Sequence, residues 1–207
     1  MLILVTMGPT QEPLDAMRLI SNRSTGELGT LLALRLMAAG HQVIALRGSG
    51  STADYSQLLK ACKKVIPFTT TADLQQALQE LSKKENVGAI FHAAAVCDFY
   101  LPDAGKGKIP TKEGTLTLTL EPTIKLLPLL RDWFPDAMIT GWKFEASGNK
   151  DSAIEAAAAQ IKNCRTDASV VNGPSYGAGF GVLGKSGSFN HLANRELLSD
   201  FLTQKMT

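Results

Sequence analysis

Thr6-Met7-Gly8-Pro9-Thr10-Gln11-Glu12-Pro13-Leu14-Asp15, running on to Arg18-Leu19-Ile20-Ser21-Asn22-Arg23-Ser24-Thr25-Gly26, decides how this chain is read. It follows an apolar run at residues 2–5 that predicts a buried first strand, and precedes an apolar-periodic segment at 28–39 that predicts a helix. A strand, a turn rich in Gly, Pro, Ser and Thr, and then a helix present backbone N–H groups to a phosphate. Here the connection is too long to be only a turn. It also carries Arg18 and Asn22, groups able to grip an anion and a carbonyl oxygen.

The same alternation continues outward. Apolar runs predict strands at 2–7, 42–46, 64–68, 88–92, 137–142 and 168–172, and helical patterns fall at 26–39, 71–84, 123–132, 150–163 and 194–204. Ala39-Gly40-His41 reads as a helix stop, and Thr71 or Asp73 as the cap of the next helix. Strands alternating with helices predict a mostly parallel sheet covered on both faces, and right-handed crossovers make it doubly wound and Rossmann-like.

Two stretches interrupt the pattern. Residues 99–113 form a polar loop with Gly105, Gly107 and Pro110, followed by the strict alternation Thr115-Leu116-Thr117-Leu118-Thr119-Leu120. Such a loop and amphipathic strand read as an inserted flap and dimerisation arm, or as an edge hairpin without function. Residues 173–190 hold glycines at 173, 177, 179, 181, 184 and 187 and read as a mobile loop ahead of a short final strand. With no internal repeat and no linker, residues 1–207 read as one domain.

The bulk composition narrows the class. Of 207 residues, 44% are hydrophobic and 19% charged, ordinary for a globular protein with its own core. A formal charge of +2 and no Lys/Arg run argue against a nucleic-acid grip. No apolar stretch reaches membrane-span length, and no basic leader precedes the first strand. Cys62, Cys97 and Cys164 are odd in number and lack metal-ligand spacing, which points to a reducing, cytoplasmic setting. Cys62 lies beside Lys63 and Lys64, which would lower a thiol pKa; the alternative is a buried, idle cysteine.

Ligands of open α/β sheets bind at the carboxyl ends of strands, where the crossover direction switches. Four predicted strand ends carry small or polar residues: Gly8 to Gly26, His92-Ala93-Ala94-Ala95-Val96-Cys97-Asp98, Trp142-Lys143-Phe144-Glu145 and Asn172-Gly173. The first loop has neither a Walker A lysine nor a Gly-x-Gly-x-x-Gly fingerprint. The alanines at 93–95 let a nucleotide lie close to the backbone, or simply form a tight packing corner. Asp98 can accept from a ribose or a base amino group, or cap a loop. Lys108 can act as a point-charge clamp on phosphate, or be solvated. His41, His92 and His191 are scattered and read as structural, and Trp142 either stacks on a base or fills the core.

Taken together these segments resemble phosphopantothenoylcysteine synthetases, which form the C-terminal domain of bifunctional coenzyme A biosynthesis flavoproteins and also occur alone. The resemblance rests on Gly8-Pro9-Thr10-x-Glu12-Pro13-Leu14-Asp15-x-x-Arg18-x-Ile20-Ser21-Asn22-x-Ser24-x-Gly26, on Ala94-Ala95-Val96-x-Asp98, on Lys108-Ile109 and, more loosely, on residues 116–122, Gly141-Trp142…Glu145 and Asp167…Asn172. It implies an amide-forming ligase. The carboxylate of 4′-phosphopantothenate attacks the α-phosphate of CTP, or of ATP, with Mg²⁺ present, and the amine of cysteine then displaces CMP. The resemblance implies catalytic roles for Asn22, Arg18 and Lys108, with Asn22 donating to the developing oxyanion. It places Gly8, Ser24, Gly26, His92, Ala93, Ala94, Asp98, Lys108, Pro122, Thr123, Ile124, Lys125 and Trp142 around the nucleotide. His92, Ala93 and Ala94 would do so by backbone contacts, and Trp142 would stand where a phenylalanine flanks the base. It implies no protein metal ligand, a homodimer, and, since no flavin domain precedes the first strand, no FMN.

This chain departs from the family pattern where phosphate charge is met. The flap reads Lys108-Ile109-Pro110-Thr111 in place of Lys-Ile-Lys-Lys, with Lys112 as a partial substitute. Glu27, Gln160 and Cys164 replace lysines, Thr123 replaces an aspartate, and Gly173 follows Asn172 where an aspartate is usual. Two other readings therefore stand beside the ligase: a divergent nucleotide or phosphopantothenate binder without ligase activity, and an NAD(P)-dependent reductase on the same fold.

Overall fold

The computed structural model describes residues 1–102, 104, 107–110 and 115–206. The flap positions Gly105, Thr111 and Lys112 lie outside the described residues. In chain order the elements are β1 (Leu2–Met7), β2 (Gln11–Pro13), β3 (Leu19–Ser21), α1 (Glu27–Ala38), β4 (Gln42–Gly48), α2 (Ser56–Ala61), β5 (Lys64–Phe68), α3 (Thr71–Lys84) and β6 (Ala89–His92). There follow β7 (Phe99–Tyr100), β8 (Glu121–Pro122), α4 (Leu126–Trp133), β9 (Met138–Phe144), α5 (Lys150–Cys164), β10 (Ala168–Asn172), β11 (Phe180–Gly184), β12 (Phe189–Leu192) and α6 (Arg195–Gln204).

One sheet runs β12-β11-β10-β9-β6-β1-β4-β5. All neighbours pair parallel except β10 with β11 and β11 with β12. Its first six strands in chain order are therefore arranged 3-2-1-4-5-6, the doubly wound Rossmann order. The strand β1 is apolar without alternation because both its faces are covered. Ile3, Val5 and Met7 join Leu32 and Leu36 of α1 and Leu198 and Leu202 of α6 on one side. Leu4 joins Leu74 and Leu78 of α3 and Leu126 and Leu130 of α4 on the other.

Several expectations change. Residues 173–190 are not a mobile loop: they hold β11, which pairs antiparallel with both β10 and β12. The buried Val182 and Leu183 provide apolar anchors that outweigh the surrounding glycines. The helix expected from residue 123 begins at Leu126, because the Thr123 N–H donates to Asp98 O and its hydroxyl to Cys97 O. The cap of α3 is Thr70, reciprocated by Asp73, while Thr71 is buried. The short α2 and the hairpin β2–β3 have no counterpart among the expected elements. Among the described residues, 115–120 pair with no strand, and Leu116 and Leu120 are exposed. Alternation supplies a strand's two faces, but only a neighbouring backbone supplies its hydrogen bonds.

At the end of the sheet opposite the carboxyl ends of its parallel strands, an ionic network ties α4 to β10 and β11. Arg131 donates to the carbonyls of Pro135, Ala137 and Arg165, and its guanidinium reaches the Asp167 carboxylate at 2.7 Å. Asp167 also accepts the Ile139 N–H and the Lys185 ammonium. Burial pushes the Asp167 carboxyl up, but Lys185, the Ile139 N–H and Arg131 outweigh it and hold it below its ordinary 3.8. Its stabilising contribution is complete above that ordinary value and is lost as pH falls through the lowered one. Asp167→Asn is expected to reduce stability at pH 7 by ~1–3 kcal/mol in urea melts and to flatten the acid limb of the stability profile. An unchanged midpoint would show that solvent screens the whole network.

Candidate active site

The crossover direction reverses between β1 and β6, which is where an open α/β sheet ordinarily leaves its crevice. In this chain the two strand exits are laced together. Ala93 N–H donates to Thr6 O at 3.2 Å, Ala95 N–H to Gly8 O at 2.9 Å and Thr10 N–H to Ala95 O at 3.1 Å. The Thr10 hydroxyl accepts Cys97 N–H at 2.8 Å, and Pro9 and Ala95 form an isolated parallel bridge. The lacing closes the gap between β1 and β6, so the open crevice lies one strand further along, between β6 and β9.

There a cavity of about 500 Å³ is bounded by the ends of β6 and β9, the start of α4 and one face of α5. Ala156, Ala159, Gln160 and Asn163 line it from α5 at three- and four-residue spacing, so one helix face meets it with mostly short side chains. Sequence reasoning named Gln160 but missed Ala156, Ala159 and Asn163, although the alanines at that spacing opposite a strand end were a visible signal. From the sheet come His92 and Lys143; Ala94, Asp98 and Lys125 complete the wall.

The sheet's alternation decides which side chains enter. His92 is buried, with Nδ1 3.0 Å from Thr6 Oγ1. Trp142 pairs in register with Val170 and packs with it on the α1/α6 side. Lys143 lines the cavity, and Trp142 lines it too while packing against that core. The Trp142 ring packs in the core beside the cavity, and its peptide carbonyl accepts Gln160 Nε2 at 3.0 Å. Gln160 is further held by Ser169, whose hydroxyl donates to Oε1 at 2.7 Å. The residue standing in for a lysine is thus spent on the scaffold. Burial pushes the Cys164 thiol up, against a lowering by Lys143, and drives Cys62 up to about 11, so the idle reading of Cys62 is the one its surroundings favour.

Two segments meet at the rim, and a third is tied to the second of them. On the first, Asp98 pairs with Lys125 across the start of α4, while Pro122 pairs with Phe99 in the short β7–β8 ladder and Ile124 is exposed. On the second, the β2–β3 hairpin, Asn22 Nδ2 donates to the carbonyl of Val96, a cavity residue, at 2.9 Å. The hairpin's other strand is anchored by Glu12, which accepts the Thr71 N–H at 2.8 Å and its hydroxyl at 2.7 Å. The third segment is the flap. Asp15 accepts the Ile109 N–H at 2.8 Å, and Arg18 bridges Asp15 and the Ile109 carbonyl. The Arg18 guanidinium, with the Ile109 and Met17 N–H groups, holds the Asp15 carboxyl well below the ordinary carboxylate range. Lys108 precedes this anchor and is exposed.

Gly8, Ser24 and Gly26 do not line the cavity. Gly8 and Gly26 have φ of +79° and +78°, and a Cβ on Gly8 would lie 1.7 Å from Ser51 Oγ. Ser51 therefore fills the crease where a dinucleotide pyrophosphate would approach α1, and Glu27 adds a carboxylate to that helix's first turn.

Burial pushes the His92 imidazole down from 6.5 to about 4, so it is neutral near pH 7. The unfolded chain binds a proton near 6.5 that the folded chain refuses until about 4. Stability is therefore complete above the higher value and falls on descending toward the lower one, by roughly 2–4 kcal/mol in all. His92→Leu is expected to remove that part of the slope in urea melts between pH 7 and 4.5. An unchanged slope would mean that His92 titrates freely.

Comparison with known proteins gives these features a family. The model of the DNA/pantothenate metabolism flavoprotein C-terminal domain matches residues 1–195. The coenzyme A biosynthesis bifunctional protein CoaBC of Thermococcus kodakarensis is 29% identical over 170 residues, 82% of this chain and 40% of that protein. Human phosphopantothenate–cysteine ligase is 31% identical over 196 residues, 69% of this chain and 63% of the ligase. The chain thus spans less than two thirds of these relatives' length. The DNA/pantothenate metabolism flavoprotein of Streptococcus pneumoniae shares the fold with a TM-score of 0.85 at 21% identity, covering 100% of this chain and 98% of that one. With a doubly wound sheet throughout and the motif from Gly8 to Gly26 at the rim of its cavity, the chain belongs to the DNA/pantothenate metabolism flavoprotein C-terminal domain family.

Proposed function

We propose that this chain is a phosphopantothenate–cysteine ligase of coenzyme A biosynthesis, the activity for which its human relative is named. The carboxylate of 4′-phosphopantothenate forms a bond to the α-phosphorus of a nucleoside triphosphate, CTP in preference to ATP, and pyrophosphate leaves. The cysteine amine then bonds to the acyl carbon, gives up a proton, and displaces CMP. The observation that carries this reading is the Asn22 hairpin, bonded to the cavity residue Val96, with the Lys108 flap tied to the loop of that same hairpin through the Asp15–Arg18 pair.

In this reading Asn22 spends one Nδ2–H on Val96 and keeps the second for the acyl oxygen as it gains charge. Lys108 meets the phosphates as a point charge. Arg18 is a positioning residue: its guanidinium is committed to Asp15 and Ile109, which aims the flap. The nucleotide rests against Ala94, Asp98 and Lys125 with its base toward His92; Pro122, Thr123 and Ile124 frame the entrance. Among the described residues no group of three His, Cys, Asp or Glu side chains is placed to hold a metal. That fits Mg²⁺ held mainly by nucleotide phosphates and water, which neutralises phosphate charge when bound. FMN has no part in this chemistry. The exposed Leu116 and Leu120, unpaired among the described residues, support a homodimer, and the reaction's substrates support a cytoplasmic setting; no described helix is long and apolar enough to cross a membrane.

Gln160 favours the second reading, a binder that has lost turnover, since it offers no cation where the family places one. The closed Gly8–Ser51 crease and Glu27 speak against the NAD(P) reductase. The deciding measurement is pyrophosphate release from purified protein with Mg²⁺, 4′-phosphopantothenate and either CTP or ATP, with and without cysteine. Release that requires both the acid and a nucleotide is expected, faster with CTP. No release with either nucleotide from folded protein would leave the binding-only relative. Asn22→Asp is expected to fold, since the Val96 bond is exposed, and to slow amide formation far more than pyrophosphate release, by ~100-fold or more. Equal loss of both steps would remove Asn22 from the oxyanion.

A further inference from the structure

His92 sits at the closed end of the cavity, 6% exposed, on the strand face that looks toward α4 and α5. Its Nδ1 lies 3.0 Å from the hydroxyl of Thr6, a residue with no exposed surface that pairs with it in register on β1. That hydroxyl already accepts the Ala94 N–H at 3.1 Å. Its own hydrogen needs an acceptor inside the protein, and among the described residues Nδ1 is the one within reach. A histidine whose Nδ1 accepts carries its proton on Nε2. Among the described residues Nε2 has no hydrogen-bond partner, so the ring keeps a free N–H donor in a residue that lines the cavity with Ala94, Leu126 and Leu127.

The charge layout says what that donor meets. The cations of this cavity, Lys125 and Lys143, stand at its rim with side chains 63% and 36% exposed, each paired with a carboxylate. A phosphate pushed to the closed end would be desolvated among apolar walls with no buried cation to balance it. A heterocycle is neutral and flat and carries acceptor atoms on its edge. We propose that His92, through its side chain and not only its backbone, is a fixed Nε2–H donor to an acceptor on the nucleotide base; the inference rests on the nucleotide reading above. Thr6 is then the positioning residue that sets the tautomer, and His92 a binding residue that seats the base while the rim handles the triphosphate.

Two measurements test it. Long-range ¹H–¹⁵N spectra of histidine-labelled protein are expected to show the Nε2–H tautomer for one histidine, lost in His92→Leu and shifted by CMP. Calorimetric titration with CTP and with CMP is expected to show both weakened about tenfold in His92→Leu, with most of the loss restored in His92→Gln, whose amide nitrogen reaches the same place. An Nδ1–H tautomer, or equal CMP affinity in wild type and His92→Leu, would overturn the inference while leaving pyrophosphate release intact. A loss for CTP with none for CMP would overturn it too, by moving the contact to the phosphates. Wild-type protein that binds neither nucleotide would overturn the nucleotide reading itself. Should His92→Leu fail to fold, the tautomer and His92→Gln decide.

Discussion

The lacing of the β1 and β6 exits is the constraint on which the site depends. Parallel strands at a switch point ordinarily diverge, and ligands enter between them. Here Thr6 and Thr10 turn their backbone and hydroxyl groups toward residues 93–97 and hold the two exits together. Each bond is modest on its own, about 1 kcal/mol net. Their joint effect is geometric: the segment after β6 is forced toward β9, and the cavity opens over α4 and α5. Val96 and Asp98 reach the rim because the residues before them are stitched to β1.

The same stitching explains why a familiar sheet order comes with its cavity in an unfamiliar place. The N-terminus of α1 keeps its place after β1, but Ser51 occupies the approach and the loop carrying it is pinned by Arg47, which donates to Ser51 O at 2.7 Å and lies over Tyr55. An α/β fold can thus retain its topology while its open crevice moves by one strand. The small residues that mark the first turn serve close packing of the chain against itself.

The sheet was legible because buried parallel strands are continuous apolar runs and their helices keep a 3.6-residue period. What escaped was structure held by contacts rather than pattern. The hairpin β2–β3 contains two residues that sequence rules disfavour in strands, Glu12 and Pro13, and exists because Glu12 finds Thr71 on another element. The strand β11 is hidden among glycines, and Thr123 was drawn from its helix by the carbonyls of residues 97 and 98. On the site, the motif named Asp98 and Lys125, which line one cavity, and Asn22, which bonds a residue of its wall. It left open whether Trp142 stacks on a base or packs in the core, because one position of strand register separates the two faces. Nor could it show that Arg18 is tied to Asp15 and the flap, a pairing three residues apart in sequence and set by a turn.

Glu12 has a consequence of its own. A buried carboxylate with both of its recorded bonds on one threonine makes the β2–β3 hairpin and the first turn of α3 a single unit. Neither can swing away without stranding a buried acceptor or two buried donors, so a partial opening of either raises the energy of the other. Fluctuations that admit solvent at Gln11–Pro13 should therefore be shared with the start of α3, as one cooperative opening rather than two. The hairpin that carries Asn22 draws its rigidity from a helix that does not touch the cavity. Sequence drift on α3 can then alter how often the hairpin lets go without altering anything that a substrate would meet.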